Sequence, residues 1–394
     1  MQSDAINFDN TEVAFAYKTN SELKRSHFVF SSMSHPWMVK LGTFLTSFAL
    51  RLRLPIKGLV KKTLFNQFCG GESIEDCSKT IDLLGYHNVH TILDYSVEGL
   101  KNEDGFNDVK EEALRIVEFA AKSRYIPFCV LKLSALGSTE LMTKAQNADT
   151  LNELEKTRLH YCEKRVIEIV QKVYDKGLMV MIDAEESWFQ NYIDGVVRRL
   201  MEKFNRERPV VFNTYQMYRH DVADKLKFAL ALATSEGYYL GAKLVRGAYM
   251  EKERERAEEL GYPSPIHATK AAVDTDYNES LKLCITHIEQ MGLCGGTHNE
   301  DSAKVMTTLM KESGLSNSDP RIYFAQLLGM SDHISFTLSD AGYNVAKYVP
   351  YGPVEKVLPY LFRRADENTS IAGQSSREYR LVKQELRRRK NSVN

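Results

Sequence analysis

Short apolar runs recur along the chain, each ending in polar or charged residues, and most are separated by stretches with a different rhythm. Eight runs rich in Val, Ile, Leu and Tyr stand out: VHTILDYS (89–96), IPFCVLKLSA (126–135), LMVMIDAEE (178–186), PVVFNTYQM (209–217), YLGAKLVRGAY (239–249), LCGGTHNED (293–301), IYFAQLLGM (322–330) and NVAKYVPYG (344–352). The sixth has the faintest strand pattern. Between them, DVKEEALRIVEFAAKS (108–123) and ELEKTRLHYCEKRVIEIVQKVYDKG (153–177) follow the helical period. Strand–helix alternation predicts parallel strands joined by crossovers, and eight such units predict an α/β fold closed as a (β/α)8 barrel.

Residues 1–85 precede the first strand and read as a polar lead followed by a helical arm. VPYGP (349–353) launches the last barrel helix, with Pro353 near its first turn. The expected organisation is an arm over 1–85, a barrel over 86–371 whose last helix lies over the mouth, and a basic helical tail over 372–394.

Composition narrows the class. The 394 residues are 43% hydrophobic, enough for one large core or two ordinary domains, and a single α/β barrel with extensions fits that length as well as two domains do. Lys+Arg and Asp+Glu both total 52, so no global field points to nucleic acid. Six cysteines, at 69, 77, 129, 162, 284 and 294, form no C-x-x-C pair and no zinc spacing. That pattern reads as reduced thiols in a cytosolic-type compartment. The opening MQSDAINFDN has neither signal-peptide nor transit-peptide character. The longest fairly apolar run, WMVKLGTFLTSFAL (37–50), is too short for a comfortable transmembrane helix and contains Lys40. A soluble cytoplasmic protein is expected.

The candidate chemistry lies where the strands end. Asp94, Lys132, Asp183, Asn213 with Tyr215, Lys243 with Arg246, His298 with Asn299, Gln326, and Lys347 with Tyr348 all close apolar runs. One such residue is usually a solvated loop position. Recurrence at nearly every strand predicts a polar barrel mouth, the face where barrels of this type carry their chemistry. In LPYLFRRADE (358–367), helical spacing puts Tyr360, Arg363, Arg364 and Glu367 on one face. Two adjacent guanidiniums suit one small carboxylate or phosphate. The alternative is a solvated helix end with an Arg363–Glu367 ion pair. In LVRGAY (244–249), Gly247 permits close backbone approach to a phosphate. No G-x-G-x-x-G and no G-x-x-x-x-G-K-[ST] occurs, which argues against the common dinucleotide and triphosphate folds. Lys132 also suits a Schiff-base aldolase. Asp183, Glu185 and Glu186 have no histidine at metal-binding spacing, so metal catalysis is not expected.

Eight ordered blocks carry a resemblance: LKLSAL (131–136), IDAEE (182–186), FNTYQMY (212–218), GAKLVRGAY (241–249), GTHNED (296–301), YFAQLLGM (323–330), KYVPYGPV (347–354) and LPYLFRRADEN (358–368). Through them most of residues 65–370 resembles proline dehydrogenase, the flavoenzyme family oxidising L-proline to 1-pyrroline-5-carboxylate. The wording is closer to the mitochondrial-type branch than to the large bifunctional bacterial enzymes. No aldehyde dehydrogenase domain is visible, so a separate pyrroline-5-carboxylate dehydrogenase is expected downstream.

The resemblance implies a distorted barrel holding non-covalent FAD. It puts the proline site on Lys132, Asp183, Tyr249, Leu327, Tyr348, Tyr360, Arg363, Arg364 and Glu367. It puts the flavin site on Asp183, Ala184, Val211, Asn213, Lys243, Val245, Arg246, Gly247, Ala248, Tyr249, Thr269, Lys270, Thr297, His298 and Asn299. Lys243 stands where the bifunctional enzymes have Arg, and Asn213 where they have Gln. The implied roles are a carboxylate clamp for Arg363 and Arg364, ring packing for Tyr360 and Leu327, and repulsion of the substrate ammonium by Lys132, which Asp183 orients. Tyr348 favours proline over hydroxyproline. The family's usual electron acceptor is a membrane quinone. SFALRLRLPIKGLVKK (47–62) and RRRK (387–390) are candidate membrane contacts, against a packed helix and a dipole-suited helix end. EKERERAEELGYPSPIHATK (251–270) reads as a lid or as a solvated helix. A Schiff-base aldolase and a non-catalytic binding barrel remain the rival classes.

Overall fold

The computed structural model describes residues 6–33, 37, 38, 42, 57–96, 102–147, 150–370 and 374–392, with side chains at all of them except 59, 365–370 and 374–376. Eight strands form: β1 Val89–Tyr95, β2 Phe128–Leu131, β3 Met179–Ile182, β4 Val211–Gln216, β5 Leu240–Val245, β6 Met291–Gly296, β7 Ile322–Leu327 and β8 Val345–Tyr351. They close into a barrel in chain order, and every registered pair is parallel. Strands covered on both faces need apolar residues at consecutive positions, which is why the runs stand out in the sequence. All six residues of β4 and all seven of β8 are buried. Only β6 departs from its expected place, starting at Met291, two residues before the apolar run read from the sequence.

The chain groups into two compact units, Met1–Glu98 with Gln326–Asn394, and Gly99–Ala325. In the second unit the barrel interior is filled by Phe128, Phe212 and Tyr323, stacked edge to face with centroids 5.5 and 4.9 Å apart. Several of its helices are started by side chains that satisfy free N–H groups. Asn152 and Glu155 form a reciprocal capping box for Glu153–Asp175, Thr269 caps Lys270–Thr286, and Asn299 caps Glu300–Glu312.

In the first unit the expected helical arm is present as Asn20–Met33 and the turns around Lys57–Phe68. Its apolar face joins the helices Val354–Ser370 and Gln374–Asn391 in one core containing Leu23, Phe30, Phe65, Phe68, Leu361 and Leu381. Each such large side chain, fully buried, stabilises by roughly 1.5–3 kcal/mol, so the arm is an integral part of this unit. All six cysteines are unpaired and buried. No helix among the described residues is long and apolar enough to cross a membrane.

Candidate active site

Neighbouring strands bring the first group of candidates together. The register pairs Leu131 with Ile182, so Lys132 and Asp183 leave β2 and β3 at the same level. Lys132 Nζ lies 3.9 Å from Asp183 Oδ2, and Lys243, from β5, donates to Asp183 Oδ1. One partly exposed carboxylate thus holds two ammonium groups, with Lys243 itself buried. Beyond Asp183, Glu185 is buried and accepts from the Ser134 N–H at 2.9 Å. Burial dominates its ionisation and pushes the carboxyl up to about 7, against the lowering effect of the Ser134 hydrogen bonds.

A second cationic group surrounds the end of β5. Arg246 donates to Asp274 (2.8 Å), Thr297 (2.8 Å) and Ser302 (2.9 Å), and its guanidinium lies 4.5 Å from the Tyr277 ring centre. Lys270 pairs with the other oxygen of Asp274 at 2.5 Å. Asp274 belongs to the helix that Thr269 caps, and Ser302 to the helix that Asn299 caps. Two positive helix N-termini therefore meet at a guanidinium, a donor set suited to an anionic group such as a pyrophosphate. His298 lies half-buried between Thr297 and Asn299. Gly247 has φ +133, and a Cβ there would fall within the Tyr218 ring. Val245, Ala248 and Tyr249 flank it, and Ala184 follows Asp183.

Two expected flavin contacts face elsewhere. Side chains alternate along a strand, and Phe212 of β4 points into the barrel. Val211 and Asn213 therefore point outward. Asn213 donates to Asp194 on the surrounding helix Ser187–Phe204 at 3.0 Å, and Val211 is fully buried with its N–H and C=O both bonded to Asn205. The same alternation turns Thr214 and Gln216 inward. Gln216 donates to the Glu185 carbonyl (2.7 Å) and accepts from the Ala248 N–H (3.3 Å), so it, and not Asn213, is the carboxamide beside the phosphate-type loop. Period-two reading from Phe212 would have found it. Lys347 and Tyr215 are likewise not mouth residues. Lys347 is fully buried against Asp332, and Tyr215 shares the outward face of Asn213.

The segment 251–270 is not a free solvated helix. Met250–Leu260 is anchored by Glu253, fully buried, which accepts the Ser187 N–H and hydroxyl at 2.6 Å each. Arg256 lies 4.5 Å from the Trp188 ring centre. The chain returns through a bridge between Ile266 and Arg219.

In the first unit, Val354–Ser370 is helical as expected from LPYLFRRADE. Tyr360 and Arg364 are buried, with the guanidinium carbon 5.0 Å from the Tyr360 ring centre. Arg363 is half-buried one position earlier. The burial of Arg364 argues against a fully solvated helix end at that residue. The Glu367 side chain lies outside those described. Leu327 ends β7 half-buried, and Tyr348 lies buried in β8.

Comparisons with known proteins point one way. The family model described as proline dehydrogenase matches residues 77–377. A human protein named proline dehydrogenase 1, mitochondrial, is 44% identical over 245 residues, which are 61% of this chain and 40% of that one. The chain thus spans well under two thirds of that relative's length. A Xenopus laevis hydroxyproline dehydrogenase is 32% identical over 422 residues, covering 98% of this chain and 90% of that protein. Proline utilization A from Bdellovibrio bacteriovorus, solved after inactivation by N-propargylglycine, superposes with a TM-score of 0.72 at 20% identity, over 93% of this chain and 37% of that one. That likeness speaks for the shared barrel.

Proposed function

Because the chain belongs to the proline dehydrogenase family, we propose that it oxidises L-proline to 1-pyrroline-5-carboxylate with non-covalent FAD, the first step of proline breakdown. The observation that carries this reading is Asp183 holding Lys132 and Lys243 at the ends of three strands, next to the Arg246 donor set. That set fits an anionic dinucleotide: Arg246 and Lys270 with the Thr269 and Asn299 helix ends would hold the phosphates, where Gly247 leaves the backbone open. Lys243, Gln216, Thr297 and His298 would hold the rest. A bound flavin supplies a two-electron acceptor for the hydride leaving proline C5.

The remaining work falls to side chains. Arg363 and Arg364 bind the substrate carboxylate, which needs close cationic partners once it leaves water. Tyr360, Leu327, Tyr249 and Tyr348 pack on the ring. The C5–H bond breaks as the nitrogen lone pair forms the C=N bond, so the reactive substrate is the neutral amine. Lys132, as a cation, disfavours the substrate ammonium, and Asp183 keeps that cation oriented. The amine proton goes to water. A membrane quinone is the proposed reoxidant.

Of the two candidate membrane contacts, residues 47–56 of the first lie outside the described ones. In the second, Arg388 and Arg389 bind buried Glu385, and Arg389 also donates to the Phe15 and Lys18 carbonyls. That supports the helix-end reading of the tail over a membrane contact. The arm, barrel and tail division stands as our proposal for the functional parts.

The test is colour. Purified protein should show a flavin absorption band, bleached by L-proline without oxygen. A colourless protein trapped by borohydride at Lys132 would make it an aldolase instead. A second reading, oxidation of hydroxyproline, is supported by the Xenopus relative, which the chain matches over nearly its whole length. The ratio of kcat/KM for the two imino acids separates them.

A further inference from the structure

We infer that a buried ionic knot, Lys18–Asp332–Lys347, positions the proline-ring contacts Leu327 and Tyr348, making the N-terminal arm part of the substrate machinery. The inference rests on the proposed proline-oxidising reading.

The chain leaving β7 turns sharply. Gly329 has φ +76 and Ser331 φ +51, the latter a non-glycine in the left-handed region. Such a backbone persists only where its surroundings hold it, and here nearly every polar group of the turn is held. Lys347 Nζ donates to the Met330 carbonyl (2.6 Å), the Leu327 carbonyl (3.3 Å) and Asp332 Oδ1 (2.8 Å). Gln67 donates to the Gly329 carbonyl at 2.9 Å, and the Ser331 N–H donates to Glu378. The second oxygen of Asp332 takes the Tyr17 hydroxyl at 2.6 Å and Lys18 Nζ at 2.9 Å. Lys18 also donates to Ser26 (3.1 Å), which donates to Gln67 (3.0 Å), closing the chain of bonds back onto the turn.

Strand alternation links this knot to the ring contacts. Lys347 points outward from β8, so its neighbour Tyr348 points inward. The Tyr348 carbonyl accepts from the Leu328 N–H at 2.8 Å. A shift of the turn would therefore move Leu327 and Tyr348 together. The side chains of Lys347, Asp332 and Lys18 are 0%, 2% and 8% exposed. Burial pushes the Asp332 carboxyl up, but the two ammonium groups outweigh it and hold it well below the usual range. An apolar core would fill the same space; directional side-chain bonds to four backbone sites between Leu327 and Ser331 fix a conformation.

Lys18→Met, Lys18→Arg and Tyr17→Phe enzymes with bound flavin test this, read by steady-state kinetics with L-proline and by inhibition with acetate, a carboxylate without a ring. Lys18→Met should raise proline KM about tenfold with kcat within about twofold, leave acetate inhibition unchanged, and be largely rescued by Lys18→Arg. Tyr17→Phe, which keeps the ion pairs and carries the test if Lys18→Met fails to fold, should raise KM by about threefold. Unchanged KM in these variants overturns the inference, as does a parallel loss of acetate binding. A wild-type protein that proline does not bleach defeats the functional reading instead, and this inference with it.

Discussion

Lys132 Nζ lies 3.9 Å from Asp183 Oδ2, while Lys243 occupies the other oxygen of that carboxylate. At that separation Lys132 and Asp183 are paired by charge and not by a tight hydrogen bond. Lys132→Ala should lower kcat/KM by roughly 10- to 100-fold and raise the apparent pKa of the acid limb of its pH profile, because the substrate ammonium loses a repelling neighbour. A lowered rate with an unmoved acid limb would assign Lys132 to binding alone.

Arg363 and Arg364 lie on a helix whose buried face also carries Tyr360. If they grip the substrate carboxylate, Arg363→Met or Arg364→Met removes charge-assisted hydrogen bonds worth about 1.5–3 kcal/mol each. Proline KM should rise by roughly 10- to 100-fold while flavin content stays at wild-type level. Titration of the flavin band with proline measures both. Normal KM in both variants would return this face to a structural role.

The two carboxamides of β4 make opposite predictions. Gln216 faces the loop of Gly247 and Ala248, so Gln216→Leu should shift the flavin absorption maximum or lower flavin content with little change in Tm. Asn213 supports Asp194, a buried carboxyl that burial already pushes up despite the Asn213 hydrogen bond. Asn213→Leu should cost about 1–3 kcal/mol of stability, with the flavin spectrum of the folded fraction unchanged. Spectra and thermal melts of the two variants suffice; a reversed pattern would restore Asn213 as the contact.

These carboxamides also mark the limit of what the sequence reveals. Strand existence was legible because consecutive apolar positions are what a strand covered on both faces requires, and all eight lie close to the predicted runs. The cationic residues at strand ends and the Arg363–Arg364 helix were legible for a related reason, since charges next to apolar runs stand out. Facing was harder. Asn213 and Gln216 stand three positions apart on β4 and so on opposite faces, and the same period makes Lys347 resemble a mouth residue when it is an outer-layer one. Least legible were partners distant in sequence. Tyr17 bonds Asp332 across 315 positions and Glu253 anchors Ser187 across 66, and no local pattern encodes either.

Glu185 gives a pH prediction. Burial raises its carboxyl from an ordinary 4.5 to about 7. Between those values the folded protein binds a proton that the unfolded chain has released, so stability falls as pH rises from about 4.5 to 7 and levels off above. The full span corresponds to about 3 kcal/mol. Glu185→Gln, neutral throughout, should flatten that part of the stability–pH curve and be the more stable protein at pH 8. Denaturant melts from pH 4.5 to 8 measure this, and parallel curves for the two proteins would mean that Glu185 ionises normally.

Gly247 is the position where one added carbon should separate folding from cofactor binding. Its φ of +133 is closed to side-chain-bearing residues, and an added Cβ would overlap the Tyr218 ring. Tyr218 cannot retreat easily: its N–H donates to the Arg246 carbonyl at 2.7 Å, and its own carbonyl accepts from His267 at 2.8 Å. The loop itself must therefore move, carrying Arg246 out of its bonds to Asp274, Thr297 and Ser302. The strand core below is untouched, because Leu240–Val245 keeps its pairing on both sides. Gly247→Ala should fold with a Tm only a few degrees lower, yet purify with little flavin and regain it weakly when FAD is added. Retention of wild-type flavin content would show that the backbone beside Arg246 does not need to approach the cofactor.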